Sequence, residues 1–140
     1  MENSDLKVTF DFDGTLQKPH IQEFAKLLIA LGVDVWVVTT RYDLLHDTGE
    51  WPDPDSGDLW AVIDELGIPH KKVIFTNMHW KATYLLGTKV IWHLDDNYKE
   101  FKYFKELKLK TLPIQVNSGM WRAKCLRLLN LEKKRRELIK

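Results

Sequence analysis

The sequence has a single cysteine, Cys125, in 140 residues. That excludes an internal disulfide framework and suits a reducing compartment. No run approaches the roughly 18 apolar residues of a membrane span. Net charge is nearly absent, with Lys+Arg 21 against Asp+Glu 20, so no global field draws the chain to nucleic acid or to a membrane. Internal repeats, Gly/Ser linkers and low-complexity tracts are missing too. The opening Met1-Glu2-Asn3-Ser4-Asp5 is acidic where a signal peptide needs basic charge and then an apolar stretch. What is present is core material, 44% hydrophobic and 11% aromatic residues. The expectation is one cytoplasmic domain spanning residues 1–140.

The charge is unevenly placed. Residues 122–140 carry a net +6 and the remaining residues a net −5, which gives the C-terminal segment the makings of a basic docking surface.

Five short β-rich runs recur along the chain: Lys7–Phe12, Asp34–Thr39, Lys72–Thr76, Lys89–Leu94 and Leu112–Val116. The second is nearly continuous in apolar and β-branched residues, as a strand covered on both faces requires. Pro113 cannot donate to a ladder, which puts the fifth run at a sheet edge. Between them, Ile21, Phe24, Ala25, Leu27, Leu28 and Leu31 follow helical spacing, with Gly32 as the stop. Leu59 to Leu66 make a second helix closed by Gly67, residues 79–86 and 97–107 two more, and Met120 to about Ile139 a long basic final one. Strands alternating with helices predict crossover units and a mainly parallel five-stranded sheet in a three-layer α/β/α Rossmann-like domain. Residues 43–58 break the rhythm: they hold Asp43, Asp47, Glu50, Asp53, Asp55 and Asp58 with no Lys or Arg, and read as a long acidic loop.

Ligands of parallel α/β sheets gather beyond the carboxyl ends of the strands. The first strand runs into Asp11-Phe12-Asp13-Gly14-Thr15, the second ends in Thr39-Thr40-Arg41, and the fourth in Asp95-Asp96-Asn97; Lys81 opens the helix after the third. One sheet edge thus collects four carboxylates, a lysine and a hydroxyl. Such crowding is costly without a neutralising cation, and an all-oxygen cluster suits Mg²⁺.

Asp11-Phe12-Asp13-Gly14-Thr15-Leu16 resembles the opening motif of the haloacid dehalogenase-like (HAD) superfamily. Val38-Thr39-Thr40-Arg41, Lys81 and Asp95-Asp96-Asn97 follow in that family's order, so the likeness covers about residues 7–116. The resemblance implies a role for each position. Asp11 would be the nucleophile that forms an aspartyl-phosphate, and Asp13 the general acid and base. Gly14 lets the chain turn and Thr15 supports it. Thr39 would bond a phosphoryl oxygen, with Thr40 and Arg41 beside it toward substrate, and Lys81 would neutralise charge and orient Asp11. Mg²⁺ would be held by Asp11, Asp95 and the backbone carbonyl of Asp13, with Asp96 acting through water or by orienting that shell. An aspartate at position 13 resembles the phosphatase branch of the family.

Other residues have plainer readings. Arg41 either binds substrate or pairs with the acidic loop. His93, on a buried strand, reads as a satisfied core histidine; His20, His46, His70 and His79 lack zinc-like spacing. Cys125 reads as inert packing. Trp51 and Trp80 are the tryptophans placed to touch substrate.

Asp13 to Thr39 leaves room for one helix and a turn, and between Arg41 and Lys81 only about 16 residues are spare. The chain therefore looks capless, and an open site suits a phosphate carried on something large. A polynucleotide end, a phosphoprotein and a group reached with help from a partner subunit all qualify. Thr39-Thr40-Arg41 and Asp95-Asp96 resemble the phosphatase domains of polynucleotide kinase-phosphatases, and the basic C-terminal helix suits a nucleic-acid backbone. The expectation is a Mg²⁺-dependent phosphomonoester hydrolase acting through an aspartyl-phosphate. Its rival is a non-catalytic HAD-like module that docks a partner or nucleic acid through residues 120–140; a phosphotransferase would share the phosphoenzyme.

Overall fold

Each of the five β-rich runs forms a strand in the computed structural model, which describes residues 5–42 and 56–138. The strands are β1 (Lys7–Phe10), β2 (Asp34–Thr39), β3 (Val73–Phe75), β4 (Val90–Asp95) and β5 (Leu112–Gln115). The helices are α1 (Pro19–Ala30), α2 (Gly57–Leu66), α3 (Lys81–Leu85), α4 (Tyr98–Glu106) and α5 (Trp121–Leu138). All strand pairs are parallel, in the order β3-β2-β1-β4-β5. The fold is α/β with helices flanking a five-stranded parallel sheet, in a Rossmann-like arrangement. Pro113 lies on an edge strand, as its missing N–H demands. Of the expected acidic loop, residues 43–55 lie outside the described residues, Trp51 among them, while Asp58 belongs to the first turn of α2.

Several elements are shorter than their sequence pattern, and two of them bear on the site. β1 ends at Phe10 rather than Phe12, because after the Asp11 N–H bonds the Leu94 carbonyl (2.8 Å) the chain folds into a tight loop over Phe12–Leu16. The helix expected over 79–86 begins only at Lys81. Asn77 and Met78 adopt left-handed backbone (φ 54° and 67°), and the Thr76 hydroxyl donates to the His79 carbonyl at 2.7 Å. That turn uses up the residues ahead of the helix.

The strands bury unlike faces. Val8, Phe10, Val35, Val37, Trp92 and Leu94 pack with Ile21, Phe24 and Leu28 of α1, Leu59 and Ile63 of α2, and Cys125 and Leu129 of α5. A second, smaller cluster sets Val38 and Val90 against Ala82 and Leu85 of α3 and Phe104 of α4. The β1–β4 register shifts by one residue between the Lys7–Val90 and Thr9–His93 pairs. Side chains alternate across a strand, so a one-residue slip exchanges faces. The irregularity therefore sets Trp92 and Leu94 on the larger core, while His93 stacks on Phe104 of α4 with ring centroids 5.7 Å apart.

Aromatic rings join the larger core. Trp92 meets Phe10 edge-on at 5.5 Å, Phe24 meets Trp121 edge-on at 5.2 Å, and Trp92 Nε1 donates to the Cys125 carbonyl at 3.0 Å. Cys125 is the packing residue expected, fully buried, with burial pushing its thiol up to about 12. Among the described residues no helix is long and apolar enough to cross a membrane.

Two outcomes follow from this packing. Phe24→Ala, at the junction of α1, β4 and α5, is expected to cost about 3–5 kcal/mol, read as a lower urea midpoint with an unchanged slope. The Cys125 thiol should resist a thiol reagent in the native protein at pH 8 and react on unfolding in urea.

Candidate metal and phosphoryl centre

Adjacent strands place two carboxylates side by side. Asp11 follows β1, Asp95 ends β4, and both sit at the carboxyl edge of the sheet. Lys81, the first residue of α3, lays its ammonium between them, 2.6 Å from Asp11 Oδ1 and 2.7 Å from Asp95 Oδ2. All three are buried. The remaining oxygens are also held: Asp11 Oδ2 accepts from the Thr15 hydroxyl (3.0 Å) and Asp95 Oδ1 from the Asn97 N–H (3.0 Å). His93 Nε2 lies 2.8 Å from Asp95 Oδ2 and its Nδ1 2.7 Å from the Thr9 hydroxyl. Burial lowers the His93 pKa. The neutral ring then donates from Nε2 to Asp95 and accepts at Nδ1 from Thr9, a tautomer assigned from its partners. His93 is thus the satisfied buried histidine expected, and it also fixes a carboxylate of the centre.

The electrostatics are unequal. Burial pushes Asp11 well above the usual carboxylate range, Lys81 opposes this, and the nearby Asp95 and Asp96 add to the rise. Burial works in the same sense on Asp95, but the His93 hydrogen bond and Lys81 outweigh it and hold that carboxyl below its ordinary value. Burial would lower Lys81, yet the charges of Asp11 and Asp95 raise it, so the ammonium stays protonated.

Asp96 completes the acidic group. Oxygens of Asp11, Asp95 and Asp96 all lie within 4.8 Å of one another. Asp96 packs on Gly14 so closely that a Cβ there would sit 2.2 Å from its Oδ2, and Gly14 has a left-handed φ of 78°. Only glycine meets both demands. The donor set fits a hard divalent cation: carboxylate oxygens only, converging, and outnumbering the one ammonium among them.

The other motif residues divide. The Asp13 carboxylate leaves Asp11, because β1 stops before the alternation that would have kept the two together. It receives Arg41 Nε at 3.0 Å and Nη2 at 2.7 Å. Arg41 also grips Asp58 of α2 at 2.8 and 3.0 Å, so one guanidinium ties β2, the loop after β1 and α2. Of the two readings of Arg41, pairing with an acidic residue of 43–58 is what these contacts display. Thr39 is buried at the end of β2 and its Oγ1 accepts the Arg41 N–H at 3.3 Å; Thr40 is only partly buried.

Sequence reasoning missed two residues. Glu100 of α4 is buried; its Oε1 accepts the Lys81 N–H at 3.1 Å, while Oε2 lies 3.9 Å from Lys81 Nζ and lacks a hydrogen-bond partner. Burial raises its pKa. Gln115 of β5 donates from Nε2 to the Asp96 carbonyl at 3.2 Å. A glutamate on a lysine-rich helix and a glutamine on an edge strand carry no local signal of either task. No family model matches the chain, and no curated protein matches it.

Lys81→Met would leave Asp11 and Asp95 buried without their cation, at a cost of about 3–5 kcal/mol at pH 7. In the variant both carboxyls titrate above their unfolded values. Their penalty is then absent in acid and accrues as pH rises. Urea unfolding from pH 4.5 to 7.5 should show the deficit widening with pH.

Proposed function

We propose that this chain is a Mg²⁺-dependent phosphomonoester hydrolase of the HAD type, working through an aspartyl-phosphate. The observation that carries the proposal is the Lys81 ammonium bridging Asp11 and Asp95 at the carboxyl edge of the sheet. Those residues, with Asp13, Thr39 and Asp96, resemble in type and order the family's motifs. Asp11, Asp95 and Asp96 would hold the cation, together with the Asp13 backbone carbonyl. When bound, Mg²⁺ supplies Lewis-acid polarisation and charge neutralisation for the phosphoryl group.

The chain's own groups do the rest. Lys81 and Thr15 each hold one oxygen of Asp11 and so fix its carboxylate plane. An Asp11 oxygen attacks phosphorus, the ester oxygen leaves with a proton from Asp13, and the phosphoryl group stays on Asp11. Asp13 then takes a proton from water, which attacks phosphorus and releases inorganic phosphate and free Asp11. Thr39 and the Lys81 ammonium supply donors for the phosphoryl oxygens. Asp13 starts in the grip of Arg41 at the exposed rim. An incoming phosphate that engages the guanidinium releases that carboxylate, which takes up a proton from solvent before it serves as the acid. Between β1 and β2 the described chain contains only the tight loop and α1, which leaves that connection without a cap and supports a phosphate on a large carrier.

Aryl phosphate hydrolysis should require Mg²⁺, stop with excess chelator and fall on the order of 10³-fold or more in Asp11→Asn. Asp13→Asn should slow both steps and accumulate acid-stable radiolabel from a phosphorylated substrate. Turnover that survives Asp11→Asn overturns the proposal. Mg²⁺ binding without turnover of any phosphoester would favour the docking-module alternative.

A further inference from the structure

The end of the sheet opposite the acidic centre carries an open groove between the end of α1 and the second half of α5. Its lining, about 220 Å³ in volume, includes the apolar side chains Leu6, Leu31, Val33, Leu126 and Leu129 and contains no acid. Leu6 and Val33 directly precede β1 and β2, so the groove lies at the amino end of the strands. Leu6, Val33 and Leu129 are buried and make its floor, whereas Leu31, which ends α1, is 50% exposed. An exposed leucine beside a buried apolar floor marks a contact surface. Arg136 donates to the Asp5 carbonyl and ties α5 to the chain just ahead of Leu6, so the groove is held in shape.

The wall formed by α5 is cationic. Asn130 and Lys133 belong to the lining. Arg127 and Lys134, three residues before and four after Asn130, share its side of the helix and are exposed. The acid nearest in sequence, Glu132, is taken by Arg135 and Arg136. Among the described residues Arg127, Lys133 and Lys134 have no carboxylate partner. What complements this groove is therefore an acidic segment with an apolar side chain to lay on the floor.

The chain contains such a segment. Asp43, Asp47, Glu50, Asp53 and Asp55 surround Leu44, Leu45 and Trp51, with no Lys or Arg between residues 43 and 55, all of which lie outside the described residues. Within one molecule Trp51 cannot reach the groove. It is tethered to Ser56 by five residues, a span of at most about 18 Å, and Arg41 holds Asp58, two residues further on, at the carboxyl edge. The six residues of β2 alone separate the two ends of the sheet by about 20 Å. Groove and tryptophan can meet only between molecules.

We infer that this chain pairs with a second copy of itself, the acidic segment of each molecule laying Trp51 into the groove beside α5 of the other. Two molecules lying antiparallel bring the carboxyl edge of each beside the amino edge of the other. Both contacts then form at once and a two-fold dimer closes. An aromatic anchor in a pocket is where interfaces concentrate their binding energy, and the surrounding charges select the partner. A nucleic-acid backbone would meet the same cations but leave the apolar floor unused. Two contacts of this size are small for an interface, so the dimer is reversible.

Sedimentation of the full chain from about 5 to about 500 μM should show a reversible monomer–dimer equilibrium, weakened by added salt. Arg127→Glu with Lys134→Glu should weaken dimerisation about tenfold or more, and so should Glu50→Lys with Asp53→Lys. Trp51→Ala, which changes no charge, should weaken it as well. Mixing the two charge-reversed proteins should restore a dimer, since the reversed groove then meets the reversed segment and the native groove the native segment. That recovery also shows that each variant is folded. A monomer at every concentration overturns the inference. So does a dimer that either reversal leaves intact, or loss in both variants without recovery on mixing. A monomer that binds a labelled oligonucleotide through Arg127 and Lys134 overturns it in favour of a polynucleotide on this face.

Discussion

One buried ammonium makes the rest of the carboxyl edge tenable. Asp11 and Asp95 project from neighbouring strands into the same low-dielectric space, where two unpaired carboxylates would repel strongly. Lys81 stands between them at hydrogen-bond distance from both. Its position is set from both directions: the left-handed pair Asn77 and Met78 turns the chain ahead of α3, and Glu100 of α4 takes the Lys81 backbone N–H. Thr15 and Asn97 then satisfy the remaining carboxylate oxygens, and His93 shares Asp95 Oδ2 with the ammonium. The ammonium neutralises one of three converging carboxylates, and this imbalance is the physical basis for proposing a divalent cation there.

The two faces of the sheet divide the labour. The face under α1, α2 and α5 is apolar and interlocked by Phe10, Phe24, Trp92 and Trp121. The face under α3 and α4 has a smaller apolar cluster and carries the polar column Thr9, His93, Asp95 and Lys81. Buried polar groups are tolerable only when each finds its partner, and in this column nearly all do. Among the described residues the buried side-chain oxygens without a partner are Glu100 Oε2, 3.9 Å from the ammonium beside that column, and Gln115 Oε1. Stability from one face allows the other to concentrate charge.

At the rim, Arg41 clamps Asp13 and Asp58 on the side of β2 and α2, and an aromatic recess in which Trp80 stacks on Tyr103 opens on the side of α3 and α4. Under the hydrolase reading Arg41 holds the proton carrier Asp13 at the edge of the centre.

Much of the fold was legible locally. Alternating and continuous apolar runs located every strand, Gly32 and Gly67 marked helix ends, and Pro113 identified an edge strand, since each follows from a period or a missing donor within a few residues. The residue types at the strand ends likewise announced an acidic site with a lysine. The one-residue irregularity in β4 that fixes which face His93 and Asp95 occupy was not legible, nor was the early end of β1 that sends Asp13 to Arg41. Glu100, Gln115 and the pairing of Trp80 with Tyr103 were hidden as well. These depend on which strands and helices become neighbours and on register between chain segments far apart. The sequence by itself determined the elements, their order and the chemistry at their ends, because those properties are local. Tertiary structure alone decided which charges share a proton-rich neighbour and which aromatic rings share a wall, because only packing brings residue 81 to residues 11 and 95, and residue 80 to residue 103.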